Sequence, residues 1–189
     1  MRIIAGKLKG STLHIPKDKN TRPLKDMVRE SIFNLLTHSN KISLQLKQTN
    51  ILDLYAGTGS FGLECLSREA KHAYFIENQK AAFEILEKNI EKLKIKKKTK
   101  IFFNDVFNLI KEQNILLSKF DLIFCDPPFK DKHVGQLIEL IFKRNLLKKN
   151  GIIILHRNKT IEEKLPNNFD ILDERAYGIS KIFFGKLLP

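Results

Sequence analysis

Between residues 50 and 156 the chain switches repeatedly between two hydrophobic periods. Short, near-continuous apolar runs at 50–56, 72–77, 100–104, 120–126 and 151–156 predict strands buried on both faces. The stretches 60–69, 79–93, 106–117 and 134–144 place apolar residues three and four apart, as a helix with one buried side requires. In 79–93 that side carries Ala82, Ile85, Leu86, Ile90 and Leu93. Strands and helices in strict alternation predict a parallel sheet covered by helices on both faces.

The two ends follow other patterns. Residues 2–5 and 11–15 read as two short strands around a turn containing Gly6 and Gly10. Over 26–38, Met27, Val28, Ile32, Leu35 and Leu36 fall on one helical stripe, and 39–49 is a polar linker. Near the other end, 169–174 and 179–187 predict a closing antiparallel hairpin, with turn signals at Ala176-Tyr177-Gly178. The expected organisation is a hairpin-and-helix extension over 1–45 and an α/β domain over 46–189.

A chain of 189 residues with 42% apolar side chains has enough material for one full core and a small appendage. No apolar run approaches the ~20 residues of a membrane helix, and the first residues lack a secretory apolar core of about 7–15 residues. Cys65 and Cys125 are isolated and the five histidines are scattered, so no metal site is expected. Two unpaired thiols fit a reducing cytoplasm. The net charge of +13 suggests a polyanionic partner such as nucleic acid. Lysines outnumber arginines 27 to 7, however, a bias that an AT-rich genome also produces. The run Lys92 to Lys100 reads as a solvated helix end and loop.

The first strand of the alternating region ends Asp53-Leu54-Tyr55-Ala56-Gly57-Thr58-Gly59-Ser60-Phe61-Gly62. Glycines at 57, 59 and 62, after a strand and before a helix, allow a tight turn and close approach of a ligand to free N–H groups. Glu77 ends the next strand, where an acid that grips ribose hydroxyls belongs. Hydride transfer from a dinucleotide and methyl transfer from S-adenosylmethionine share this arrangement. The third strand end, Asn104-Asp105-Val106, separates them: Asp105 offers a carboxylate to an adenine amino group, with Asn104 as the better placed helix cap. The rest of the chain is also too short for a dehydrogenase's second domain.

The fourth strand ends Asp126-Pro127-Pro128-Phe129. An exocyclic base amine is a poor nucleophile, because its lone pair is delocalised into the ring. Asp126 and the Pro127 carbonyl can accept its two hydrogens and favour the developing positive charge. Phe129 can stack on an extruded base. A merely structural Pro-Pro loop is the bland alternative, but ligands in open α/β sheets bind at the carboxyl ends of the strands.

With these motifs the chain resembles the RsmD family, bacterial guanine-N2 methyltransferases of 16S ribosomal RNA. The resemblance runs through Arg2-Ile3-Ile4-Ala5-Gly6, Thr21-Arg22-Pro23 with Asp26, Val28-Arg29-Glu30, Phe33-Asn34, Asp53 to Gly59, Gly62-Leu63-Glu64, Leu66-Ser67-Arg68 and Asp126 to Phe129. It implies a Rossmann-like class I methyltransferase fold with seven strands in the order 3-2-1-4-5-7-6, mostly parallel, plus the N-terminal extension. It implies S-adenosylmethionine as cofactor, held by Asp53, Tyr55, Ala56, Gly57, Thr58, Gly59, Glu77, Asn104, Asp105 and Val106. The catalytic residues would be Asp126, Pro127 and Phe129, and the substrate 16S ribosomal RNA or the small ribosomal subunit. In the cationic arm, Arg2, Lys7, Arg22 and Arg29 would bind phosphates, and the enzyme would act as a cytoplasmic monomer. Leu24-Lys25 stands where the family usually has Thr-Thr, and Met27 where it has a basic residue. The alternatives are a DNA base-amine methyltransferase, which prefers Asn or Ser before Pro-Pro, and a non-catalytic RNA-binding assembly factor, which explains the charge but not the strand-end motifs.

Overall fold

A computed structural model describes residues 1–16, 24, 26–42, 44–112 and 118–188. Helix α1 spans Asp26–His38. Then β1 (Asn50–Leu54), α2 (Ser60–Ser67), β2 (His72–Glu77), α3 (Lys80–Lys92) and β3 (Thr99–Phe103) alternate, followed by α4 (Val106–Lys111), β4 (Phe120–Cys125), α5 (Val134–Lys143) and β5 (Leu147–Asn158). Strands β6 (Phe169–Tyr177) and β7 (Ser180–Leu187) close the sheet. Its order is β3-β2-β1-β4-β5-β7-β6. The first five strands pair in parallel, whereas β7 runs antiparallel to both β5 and β6. Among the described residues no helix is long and apolar enough to cross a membrane.

The continuous apolar runs are explained by a core on each face of the sheet. Alternate residues of every central strand point to opposite sides. Ile51, Phe75, Leu122, Phe124 and Ile154 meet α1, α2 and α3, whereas Leu52, Ile76, Ile123, Cys125 and Leu155 meet α4 and α5. Both cysteines are buried there, and burial pushes their thiols well above the ordinary range. Three rings cross the first core in a stack: Phe33 of α1 lies 5.1 Å from Phe61 of α2, which lies 3.9 Å from Phe124 of β4. The extension therefore shares its core with the sheet, through Ile3, Leu13, Val28, Ile32, Phe33 and Leu36.

Four expectations are corrected. The segments 2–5 and 11–15 do not form a two-stranded ladder; pairing is limited to one bridge, Arg2 with Thr12, and a few backbone bonds around it. The reason is competition. The amide of Ala5, the next ladder donor after Ile3, donates instead to Glu64 at 2.9 Å, and the outward-pointing amide of Ile4 donates to its other oxygen at 2.7 Å. Met27 is not on the buried stripe but is 63% exposed, since Val28, Ile32 and Leu36 define the inner side of α1. Helix α4 stops at Lys111, and residues 113–117 of the expected helix lie outside the described residues. Strand β5 begins earlier and ends later than its apolar run, so His156, Arg157 and Asn158 remain in the ladder against β7.

The arm is docked mainly through α2. Glu64 is fully buried, accepts the two arm amides and pairs with Arg68 at 2.9 Å. Ser67 accepts from Leu8 N through its hydroxyl and from Lys7 N through its carbonyl. Gly6, at φ +83°, lies so close to this turn that an added Cβ would sit 2.0 Å from the Ser67 carbonyl oxygen. Removing the carboxylate in Glu64→Ala would leave two partly buried amides and one guanidinium without their partner. We expect a loss of about 3 kcal/mol, the scale for losing a buried charged hydrogen-bond partner. Urea denaturation measures it; a loss within about 0.5 kcal/mol, typical of surface positions, would mean that the arm is held by its apolar contacts alone.

Candidate active site

A cleft of about 280 Å³ opens at the carboxyl ends of β1 and β4, where the connections out of β1 and β4 diverge to opposite sides of the sheet. The sharp turn after β1 forms one wall. Tyr55 (φ 60°), Gly57 (φ 56°) and Gly59 (φ 80°) all take left-handed backbone conformations, which glycine adopts freely and tyrosine does not. A Cβ on Gly59 would lie 2.3 Å from Leu86 Cδ1, and one on Gly62 would lie 2.4 Å from the Phe75 ring. Gly59 is thus favoured by torsion and by close packing, and Gly62 by its packing against Phe75.

Two carboxylates stabilise the turn from within. Glu77 accepts from Gly57 N at 2.7 Å and, through its other oxygen, from Gln79 N at 2.7 Å. Asp53, at the base, accepts from Gly62 N at 2.9 Å. The buried amide of Asn89 donates to Thr58 O at 3.1 Å, accepts from His14 N at 2.7 Å and donates to His14 O at 3.2 Å. One α3 side chain therefore joins the glycine turn to the N-terminal arm.

The Asp126-Pro127-Pro128-Phe129 loop forms the opposite wall. Register explains which side chains meet it. Cys125 of β4 stands beside Leu155 of β5, so the next pair is Asp126 and His156. His156 pairs across with Ile182 of β7, and Ser180, two residues earlier, shares its face. The His156 ring bridges Asp126 Oδ1, at 2.8 Å from Nδ1, and Ser180 Oγ, at 2.9 Å from Nε2. Its edge meets Phe129, with ring centroids 5.4 Å apart and planes at 81°. Arg157, fully buried and paired with Glu163, donates to the carbonyls of Pro127 (3.4 Å), Pro128 (3.0 Å), Phe129 (3.2 Å) and Asp131 (2.6 Å).

Of the expected site residues, Asp53, Tyr55, Ala56, Gly57, Thr58, Glu77, Asp126, Pro127 and Phe129 line this one cleft. Gly59, Asn104, Asp105 and Val106 are not in its lining. The capping roles are also reversed: Asp105 Oδ1 accepts from Asn108 N at 3.1 Å and caps α4, and Asn104 accepts from Asp105 N. Asp105 has extended backbone angles immediately before the first helical residue, which is where a cap must stand. Lys7 is exposed and paired with Glu69 at 2.8 Å, and Arg2 is exposed. Arg22 lies outside the described residues.

Arg29 is corrected. It is fully buried, donates to Arg2 O at 2.6 Å and Asp26 at 3.0 Å, and burial lowers its pKa. Its side chain holds the arm onto α1 and presents no surface to a phosphate. His156, Arg157 and Ser180 were missed. Their sequence signal is slight: a histidine and an arginine ending an apolar strand run, beside the hairpin turn.

The chemistry of the cleft shows in Asp53. Burial pushes its carboxyl well above the usual carboxylate range, against the Gly62 hydrogen bond, and the charges of Asp126 and Glu77 add to the rise. The folded chain thus holds this proton more tightly than the unfolded chain. Its contribution to stability is complete below the unfolded value of about 3.9 and is lost as pH climbs through the raised folded value. Asp53→Asn keeps an oxygen for Gly62 N and never ionises. We expect it to raise the Tm of the ligand-free protein at about pH 8, and the gain to shrink toward zero near about pH 4. Melting curves that stay parallel at the two pH values would show that Asp53 titrates as it does unfolded.

The relatives of the chain are consistent with this site. The family model described as Conserved hypothetical protein 95 matches residues 1–186. A ribosomal RNA small subunit methyltransferase D from Haemophilus influenzae is 34% identical over 179 residues, 95% of this chain and 90% of that protein. One from Buchnera aphidicola is 34% identical over 177 residues, 93% of this chain and 86% of that protein. A solved structure of a candidate methyltransferase from Escherichia coli superposes with a TM-score of 0.84 at 26% identity, covering 99% of this chain and 97% of that one.

Proposed function

The chain belongs to the ribosomal RNA small subunit methyltransferase D family, and we propose that it transfers a methyl group from S-adenosylmethionine to the exocyclic N2 amine of a guanine in 16S ribosomal RNA. The observation that carries this reading is the meeting of two strand-end motifs in one cleft: the glycine turn with Glu77 on one wall and Asp126-Pro127-Pro128-Phe129 on the other.

The first wall fits the cofactor. The left-handed turn at Gly57 and Gly59 keeps side chains away from the space that a nucleoside would enter. Each Glu77 oxygen accepts one backbone amide, and a carboxylate oxygen has a further lone pair for a ribose hydroxyl. Bound there, S-adenosylmethionine would supply an electrophilic methyl group on a sulfonium. The remaining tasks fall to the protein. Asp126 accepts one amine hydrogen and takes the proton that the amine sheds. The Pro127 carbonyl, only weakly engaged by Arg157 at 3.4 Å, accepts the other hydrogen. Phe129 is half-buried and offers a ring face for stacking against the base. Arg2, Lys7 and Arg22 hold the RNA backbone through its phosphates.

The test uses labelled S-adenosylmethionine and small ribosomal subunits from a strain lacking the enzyme, with the modified nucleotide mapped afterwards. We expect label on one guanine N2; label on another base, or on protein, would overturn the assignment. Single-turnover rates then test the cleft. Asp126→Ala should lose about 10²–10³ in rate, as for other preorganised hydrogen-bond partners, while calorimetry shows unchanged cofactor affinity. Asp126→Asn should retain part of the activity, because its amide oxygen still accepts a hydrogen bond. An alanine variant that transfers methyl at the parental rate would make the loop structural.

A further inference from the structure

His156 is nearly buried, lines the cleft, and is used neither for cofactor binding nor for base stacking in the reading above. Its two ring nitrogens are both engaged. Nδ1 faces Asp126 Oδ1 at 2.8 Å and Nε2 faces Ser180 Oγ at 2.9 Å. An ionised carboxylate can only accept, so Nδ1 must carry the hydrogen. In the neutral ring Nε2 is then an acceptor, and Ser180 is the partner whose hydroxyl rotates to donate to it. The order of donors thus runs from Ser180 to His156 to Asp126. The ring edge also meets Phe129, so one side chain touches both the acid and the stacking surface of the loop.

We propose that His156 is a positioning residue for methyl transfer, with Ser180 fixing its tautomer. Its Nδ1–H occupies Asp126 Oδ1 and turns Oδ2 toward the target amine. Oδ2 then accepts the amine hydrogen, and the proton shed by the amine passes to that oxygen rather than to its tied neighbour. Through its edge contact the ring also sets the angle at which Phe129 meets the base. This proposal rests on the reading of Asp126 as the amine's acceptor. It also accounts for a feature that packing alone does not require: a polar residue on β5 at the point where the strand passes the cleft, in a run otherwise filled by Ile152, Ile153, Ile154 and Leu155.

Nitrogen-15 NMR of the ligand-free protein with labelled histidine reads the tautomer without any turnover. We expect Nδ1–H in the parent protein, and a shift to Nε2–H, donating to Ser180, in Asp126→Ala. Single-turnover methylation of the RNA substrate gives the second readout. Losing a hydrogen bond to a charged group is worth about 10- to 100-fold in rate, so His156→Leu should slow transfer by that factor. Cofactor affinity, measured by calorimetry, should stay within about twofold. His156→Asn, whose amide can donate to Oδ1, should recover most of the rate, which a purely space-filling role would not allow. Ser180→Ala should slow transfer by a smaller factor, and it remains informative if His156→Leu fails to fold. Nε2–H in the parent would overturn the proposal. So would parental rates in His156→Leu and Ser180→Ala alongside a slow Asp126→Ala, which leaves the reading of Asp126 standing. A parental rate in Asp126→Ala removes that reading and this inference with it.

Discussion

The arrangement of the cleft depends on the buried guanidinium of Arg157. Pro127 and Pro128 have no N–H, so the loop that carries Asp126 and Phe129 cannot anchor itself by donating hydrogen bonds from those positions. It must be held by its carbonyls. A guanidinium has five donors in a rigid fork, and Arg157 directs two of its nitrogens at four carbonyls between Pro127 and Asp131. Its third nitrogen pairs with Glu163, which offsets the cost of burying the cation.

That anchor sets demands on the sheet. Arg157 can reach the loop only if β5 continues past its apolar run, and β5 continues because β7 pairs with it antiparallel as far as Asn158 and Ser180. The closing hairpin therefore does more than cover an edge. It supplies Ser180 behind His156, and Ile179 at its tip lines the cleft. A parallel strand in this place would have to arrive through a long crossover, whereas the antiparallel return brings the turn directly to the mouth of the site.

On the other wall the same solution appears with the charges inverted. Glu64 on α2 collects the amides of Ile4 and Ala5, and Asn89 on α3 links His14 to Thr58 of the glycine turn. The arm is thus fixed against the two helices that flank the cofactor wall, and Leu24, just before α1, reaches the cleft itself. An extension held in this way has a fixed position relative to the cleft. Its mooring uses the buried carboxylate of Glu64 and the buried amide of Asn89, while Arg2 and Lys7 stay exposed.

The fold was legible because its signals are local. Hydrophobic period distinguishes strand from helix within about 5–15 residues, and the turn after β1 needs glycine for torsional reasons that act on single residues. For the same reason Glu77 and Asp126 could be placed at strand ends from position alone. Several errors arose where a group had a choice of distant partners. The amide of Ala5 chose Glu64, 59 residues away, over the neighbouring segment. Arg29 turned inward to Arg2 and Asp26 rather than outward to a phosphate. His156 and Arg157 carried no distinctive spacing, since their partners around the cleft lie 24 to 30 residues away along the chain. The sequence by itself determined the alternation of strands and helices and the glycine turn, and family resemblance supplied the strand order. Tertiary structure alone decided which side chains meet at Asp126, because a hydrogen bond is directional and its geometry exists only once β4, β5 and β7 lie side by side.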